Sequence, residues 1–169
     1  MGPISASTAI DSPRERVLEA VSDLAVRPAF CDHFLRHYHL AGLPATGVGA
    51  AARFHVSPPG ASTWMDTSIT AIEPSRVREH GRCGRSNRTP VFTDWELLEE
   101  AGALTTVRLT FWTDPGNHAD RARERLGAGR WYRRRWSRAL GRLKDLLESD
   151  QPLPRLEVAG GDRVVSGIA

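Results

Sequence analysis

Polar and apolar residues alternate from the start of the chain. Ile4, Ala6, Thr8 and Ile10 share one parity, which predicts a strand ending at Asp11. Ser12, Pro13, Arg14 and Glu15 follow at once. With Ser12 as N-cap, Pro13 at the first helical position and Glu15 two residues further on, the spacing predicts a capped helix start. Val17, Leu18, Val21 and Leu24 then recur on one face until Arg27-Pro28 interrupts the pattern. A second short helix is expected over about 29–35.

From residue 36 to 113 the period becomes two, broken by turn residues at 42–44, 58–60, 74–75, 84–87 and 101–102. Five or six antiparallel strands fit this stretch. The clearest hairpin pairs 92–99 with 104–113. Trp95 and Leu97 lie on one face, as do Val107, Leu109 and Phe111, while Arg108 and Thr110 point away, so the apolar face is expected to look inward.

After Asp114-Pro115-Gly116-Asn117 the spacing turns helical to about Ser149. Tyr132, Trp136, Leu140, Leu143 and Leu147 fall within an arc of roughly 80° at about 100° per residue, opposite Arg130, Arg134, Arg138 and Arg142. Gly127 and Gly129 weaken the first third, which is expected to bend or start late. Residues 150–169 lack sustained periodicity and read as a tail, with a short strand expected near 163–165. The pattern thus predicts one α+β domain over 1–149.

Composition adds limits. A chain of 169 residues, 40% hydrophobic and 25% charged, suits one ordinary globular domain. No window resembles a membrane span or a secretory signal, so the expected location is the cytoplasm. Cys31 and Cys83 are too few for a disulfide framework and lack metal-type spacing. The basic residues comprise 22 arginines and Lys144 alone, a skew that fits a GC-rich bacterial genome. Net charge is uneven as well: residues 118–149 carry ten Lys/Arg against four Asp/Glu, or +6, and the rest carries 13 against 16, or −3.

The order of elements resembles the START/polyketide-cyclase superfamily, the SRPBCC, helix-grip or birch-pollen-allergen fold. Several motifs carry the resemblance over about 3–149: S12-P13-R14-E15-R16-V17 at the first helix and Pro28 near the second, V48-G49-A50 entering a strand, I69-T70-A71-I72-E73-P74-S75-R76-V77 at a tight turn, W95-E96-L97 followed by a Gly turn and T106-V107-R108-L109, and the closing helix. The resemblance implies a curved antiparallel sheet of about six to seven strands around a long C-terminal helix, with two short helices after the first strand. It also implies a cavity for lipids, polyketides or other hydrophobic molecules, and no single activity.

The inward set expected to line such a cavity is Phe54, Val56, Ile69, Val77, Cys83, Trp95, Leu97, Val107, Leu109, Phe111, Tyr132, Trp136 and Leu140. Glu79 shares the parity of Val77 and Cys83. Buried, it is either an acid, base or ligand contact, or is neutralised by an arginine or turned outward by a bulge. Asp66 and His55 form a second polar pair if Trp64 rather than Met65 faces the cavity; otherwise they are surface cross-strand partners. His33 and His37 have a helical i, i+4 spacing without an acidic ligand nearby, so no metal and no cofactor are expected. No phosphate loop or nucleophile elbow occurs. The run from Arg130 to Arg138 reads as a solvated helix face with a cation–π contact at Trp131 rather than a nucleic-acid surface.

Two functional classes remain. The first is a domain enclosing a hydrophobic small molecule, of a polyketide cyclase or dehydrase kind, acting as a monomer or homodimer. The second is a non-catalytic binding module that uses the basic helix for an acidic partner, a membrane surface or RNA.

Overall fold

The computed structural model describes residues 1–42, 44–84, 88–100, 103–116, 118–149 and 151–156. The period-two segments form one curled antiparallel sheet in the order β1-β7-β6-β5-β4-β3-β2. In chain order the elements are β1 (Ile4–Asp11), α1 (Arg14–Ser22), α2 (Arg27–Cys31), β2 (Arg36–Leu40), β3 (Ala51–Val56), β4 (Thr63–Glu73), β5 (Arg76–Cys83), β6 (Thr89–Glu99), β7 (Leu104–Thr113), α3 (His118–Glu124) and α4 (Ala128–Glu148). The seven strands and the long last helix match the expected helix-grip architecture.

Parity sets which side chains go inside. In β6, Val91, Thr93, Trp95 and Leu97 are buried, and in β7 Thr105, Val107, Leu109, Phe111 and Thr113 are buried. The two strands pair with Trp95 opposite Leu109 and Leu97 opposite Val107. The register of β4 slips between Ile69 and Ala71, a bulge that bends the long strand and switches its inward parity, from Met65, Thr67 and Ile69 before it to Ile72, opposite buried Val77, after it. Gly81 of β5 faces Thr67 of β4 so closely that a Cβ there would lie 1.8 Å from the Asp66 carbonyl oxygen. Only glycine permits that approach.

Helix α4 lies across the concave face with Tyr132, Trp136, Ala139, Leu140, Leu143 and Leu147 buried. Gly127, at φ 106°, separates it from α3, so the helical stretch after residue 117 breaks where glycines weaken it. Arg130, Arg134 and Arg138 are exposed. Arg142 departs from the expected solvated row: it donates to the Ala29 carbonyl at 2.9 Å and pairs with Asp32, tying α4 to α2.

Two helix starts differ from expectation. Pro13 is the N-cap of α1, no side chain caps it, and Ser12 is buried with its Oγ lacking a partner among the described residues. The capping box does not form because Pro13 is extended (φ −57°, ψ 143°) and delays the helix by one residue. Helix α2 begins at Arg27, earlier than expected, because Pro28 occupies its first turn, where a missing N–H has no consequence. Arg27-Pro28 therefore opens a helix as well as closing the segment before it.

The expected strand near 163–165 lies outside the described residues, as do parts of the turns at 42–44, 84–87 and 101–102. Residues 151–156 return to the α1–α2 corner: Leu156 N–H donates to the Ala25 carbonyl at 2.8 Å, and Arg155 pairs with Asp23 at 3.0 Å. Among the described residues no helix is long and apolar enough to cross a membrane.

Candidate functional site

Beneath α4 the interior is almost full. Trp136 packs edge-on to Trp95 at 5.8 Å between ring centroids and to Phe34 at 5.0 Å, while Tyr132 lies 4.6 Å from Phe111. These rings leave an inner void of about 10 Å³, lined among others by Arg27, Thr67, Glu79, Phe111, Tyr132 and Trp136. That is room for about one water-sized group.

Glu79 sits at this void and is 3% exposed, matching its inward parity. Its Oε1 accepts from Arg27 Nη2 at 2.7 Å and from Trp95 Nε1 at 2.8 Å. Thr67 Oγ1 donates to Oε2 at 3.0 Å, and Arg27 Nη1 approaches Oε2 at 3.4 Å. Of the alternatives open from sequence, neutralisation by an arginine is the arrangement found. Burial alone would lower the Arg27 pKa, but the Glu79 charge and hydrogen bonds outweigh it and the pKa is raised. Arg27 also donates to the Val21 carbonyl at 3.0 Å, and its carbon lies 4.9 Å from the Trp95 ring centre. Burial likewise pushes the Cys31 thiol and the Tyr38 hydroxyl up.

Space for a ligand lies at one end of this packing. A cleft of about 710 Å³ opens between the 58–63 turn, the ends of β5, β6 and β7, and the junction of α3 with α4. Pro58, Pro59, Ala61, Trp64, Ala128 and Tyr132 give it an apolar wall; Thr63, Thr89 and Thr113 add hydroxyls, and Arg53 and Glu124 stand at its rim. The volume is that of a pocket for a drug-sized molecule. On one side the Met1 ammonium donates to the Thr113 carbonyl at 3.0 Å and to its Oγ1 at 2.8 Å, and contacts Glu124, which also accepts from Thr113 Oγ1. Burial, aided by Cys83 and Glu124, pushes the Tyr132 hydroxyl well above the usual phenol range, so it stays a neutral donor. Tyr132 borders both the cleft and the inner void.

All thirteen residues expected to face inward are buried, and the structure distributes them unevenly. Cys83 and Tyr132 line the cleft. Phe54, Val56, Phe111, Tyr132 and Trp136 border the small void. Ile69, Val77, Trp95, Leu97, Val107, Leu109 and Leu140 border neither and pack as core. Met65, not Trp64, is buried against the inner void, while Trp64 is 39% exposed and stands in the cleft wall, so Asp66 and His55 have the parity that points away from the void. Asp66 instead pairs with Arg53 at 3.5 Å, and His55 Nε2 lies 3.2 Å from Ser62 Oγ. Nor do His33 and His37 share a helix face, since α2 ends at Cys31 and His37 lies in β2 at φ 50°. Trp131 does carry the expected cation–π contact, with Arg135 at 5.3 Å.

The residues missed from sequence are Arg27 and the cleft hydroxyls Thr63, Thr89 and Thr113. Pro28 carried a usable signal for Arg27, because proline after a polar residue marks the first turn of a helix as readily as its end. The threonines stand at strand ends, where parity fixes little.

A family model described as polyketide cyclase/dehydrase and lipid transport matches residues 1–148. Among solved structures, TTHA0849 from Thermus thermophilus is 16% identical with a TM-score of 0.68, covering 85% of this chain and 95% of that one. The Zhui aromatase/cyclase from Streptomyces sp. R1128 is 18% identical with a TM-score of 0.61, covering 85% and 92%. Ginseng major latex-like protein 151 from Panax ginseng is 14% identical with a TM-score of 0.64, covering 88% and 98%. No curated protein matches the sequence. At these identities the structural likeness concerns the fold alone.

Proposed function

This chain belongs to the polyketide cyclase/dehydrase and lipid transport family, and from that premise we propose that it binds a hydrophobic small molecule with its apolar body in the cleft beside Tyr132. The observation that carries the reading is the position of the 710 Å³ cleft: among the described residues, room of ligand size lies at the open end of the sheet, while the interior under α4 is packed. Apolar walls give such a ligand its binding energy, at about 25 cal/mol per Å² removed from water. The threonine hydroxyls and the Tyr132 hydroxyl orient it. A flexible reactive chain held there would be folded and shielded from water, which is the part a protein plays in a cyclase- or dehydrase-like step. A carrier role needs the same cleft without the reaction.

Ala128 gives the direct test. It is buried, lines the cleft on the first turn of α4, and a tryptophan there would fill space beside Tyr132. Titration calorimetry with 2-acetylnaphthalene should show binding to the natural protein and at least a tenfold loss in Ala128→Trp, with thermal unfolding as the check on folding. Undiminished binding by a folded Ala128→Trp protein would place the ligand elsewhere.

A further inference from the structure

The inner void holds an unusual combination. Two buried donors, Trp136 Nε1 and Arg27 Nε, have no hydrogen-bond partner among the described residues, and both residues line the same 10 Å³ space. Trp136 is 4% exposed and Arg27 is 2% exposed. Buried N–H groups are seldom left without an acceptor, because nothing repays the hydrogen bonds they lose with water. Every oxygen of the neighbouring Glu79 carboxylate already accepts from Arg27, Thr67 or Trp95. The unmet need at this point is therefore for an acceptor, and two donors ask for it.

We propose that the void is an acceptor subsite: a neutral carbonyl oxygen on the hydrophobic ligand reaches past Tyr132 and takes hydrogen bonds from Trp136 Nε1 and Arg27 Nε. The inference rests on the cleft reading above and narrows its ligand class to ketones and related carbonyl compounds. Size supports a single oxygen, since the void has room for about one such group. Charge supports a neutral one: Arg27 and Glu79 already balance each other at 2.7 Å, so an added carboxylate would be a buried charge without a partner. Adjacency supports the route, because Tyr132 is shared by the walls of the cleft and the void. A ligand hydroxyl meets the need only by its lone pairs, leaving its proton without an acceptor.

The probes are 2-acetylnaphthalene and 2-ethylnaphthalene, which share the ring system and a two-carbon substituent and differ in the carbonyl oxygen. Dissociation constants for both are measured by calorimetry on the natural protein and on Trp136→Phe, which keeps a ring and removes the N–H. The ratio of ethyl to acetyl dissociation constants should fall by about tenfold in the variant, the effect expected of a hydrogen bond that fills a buried donor. In the natural protein the Trp136 indole proton, assigned from through-space contacts of its ring with Phe34 and Trp95, should move downfield with the ketone and not with the hydrocarbon; this readout stands even if the variant folds poorly. Binding of both probes with an unmoved ratio and an unmoved indole proton overturns the acceptor subsite and leaves the cleft, the void then serving a single water only. Failure of both probes to bind removes the cleft reading and the subsite with it.

Discussion

Replacing Arg27 by Met should destabilise the protein by several kcal/mol through Glu79, in a way a double-mutant cycle can isolate. Both side chains of the pair are 3% exposed or less, and their closest atoms are 2.7 Å apart. Without the guanidinium, the Glu79 carboxylate keeps only its neutral donors, Thr67 at 3.0 Å and Trp95 at 2.8 Å. Removing one partner from such a pair costs about 3–5 kcal/mol, a large share of the roughly 5–15 kcal/mol that holds a domain folded. Over a chain of this size that is a fall in Tm of about 6–20 °C. Glu79→Gln should cost a similar amount, because it leaves the Arg27 charge uncompensated. In the double variant the amide of Gln still accepts from Trp95 and can donate to Thr67 once that hydroxyl rotates, so the loss should be well below the sum of the singles. Urea unfolding of the four proteins at pH 7, followed by circular dichroism, measures the cycle. Losses that add to within about 0.5 kcal/mol would show that the pair does not act as a unit.

His33 should make stability depend on pH: its Nε2 faces the Arg135 carbonyl at 3.2 Å and its Nδ1 faces Arg142 at 3.4 Å, which suits the neutral ring. Burial first, then the charges of Arg138, Arg142 and Arg135, hold its pKa below the usual 6.5 against the hydrogen bond to the Arg135 carbonyl, which raises it, and with Asp32 adjacent; the neutral ring's contribution is complete above pH 6.5 and lost as pH falls through the lowered folded value. Urea unfolding between pH 7 and pH 5 should show that loss, and His33→Gln should flatten it; an unchanged slope would assign it to other groups. Gly81→Ala should cost about 3 kcal/mol or more, read by thermal unfolding, because its Cβ would meet the Asp66 carbonyl oxygen at 1.8 Å; a loss under 1 kcal/mol would mean the strands separate easily there. Cys31, buried with its thiol pKa raised, should resist iodoacetamide in the folded protein and react on unfolding, as peptide mass mapping would reveal; fast labelling of the native state would contradict its burial.

Period-two alternation was enough to place Trp95, Leu97, Val107 and Leu109 on one inner face, because a single-residue slip would move all of them to solvent. It also put Glu79 inside. What parity could not supply was its partner, since Arg27 arrives from a different element and its position depends on how α2 packs. The cleft was the least legible part. Its walls come from the 58–63 turn, the ends of three strands and the helix junction near Gly127, segments brought together by topology alone. A curved sheet under one helix led to an expectation of space at the centre, yet three aromatic contacts to Phe34, Trp95 and Phe111 fill it. Side-chain volume, which alternation does not encode, decided where the room remained.

The central claim is that a hydrophobic molecule occupies the cleft beside Tyr132, and chemical-shift mapping of the isotope-labelled protein with 2-acetylnaphthalene tests it most directly. The largest changes should fall on Ala61, Cys83, Thr89, Thr113, Ala128 and Tyr132, with Phe92 and Trp112, stacked side by side at 5.0 Å between ring centroids, unmoved. Changes confined to those two rings, or to the exposed arginines of α4, would contradict it.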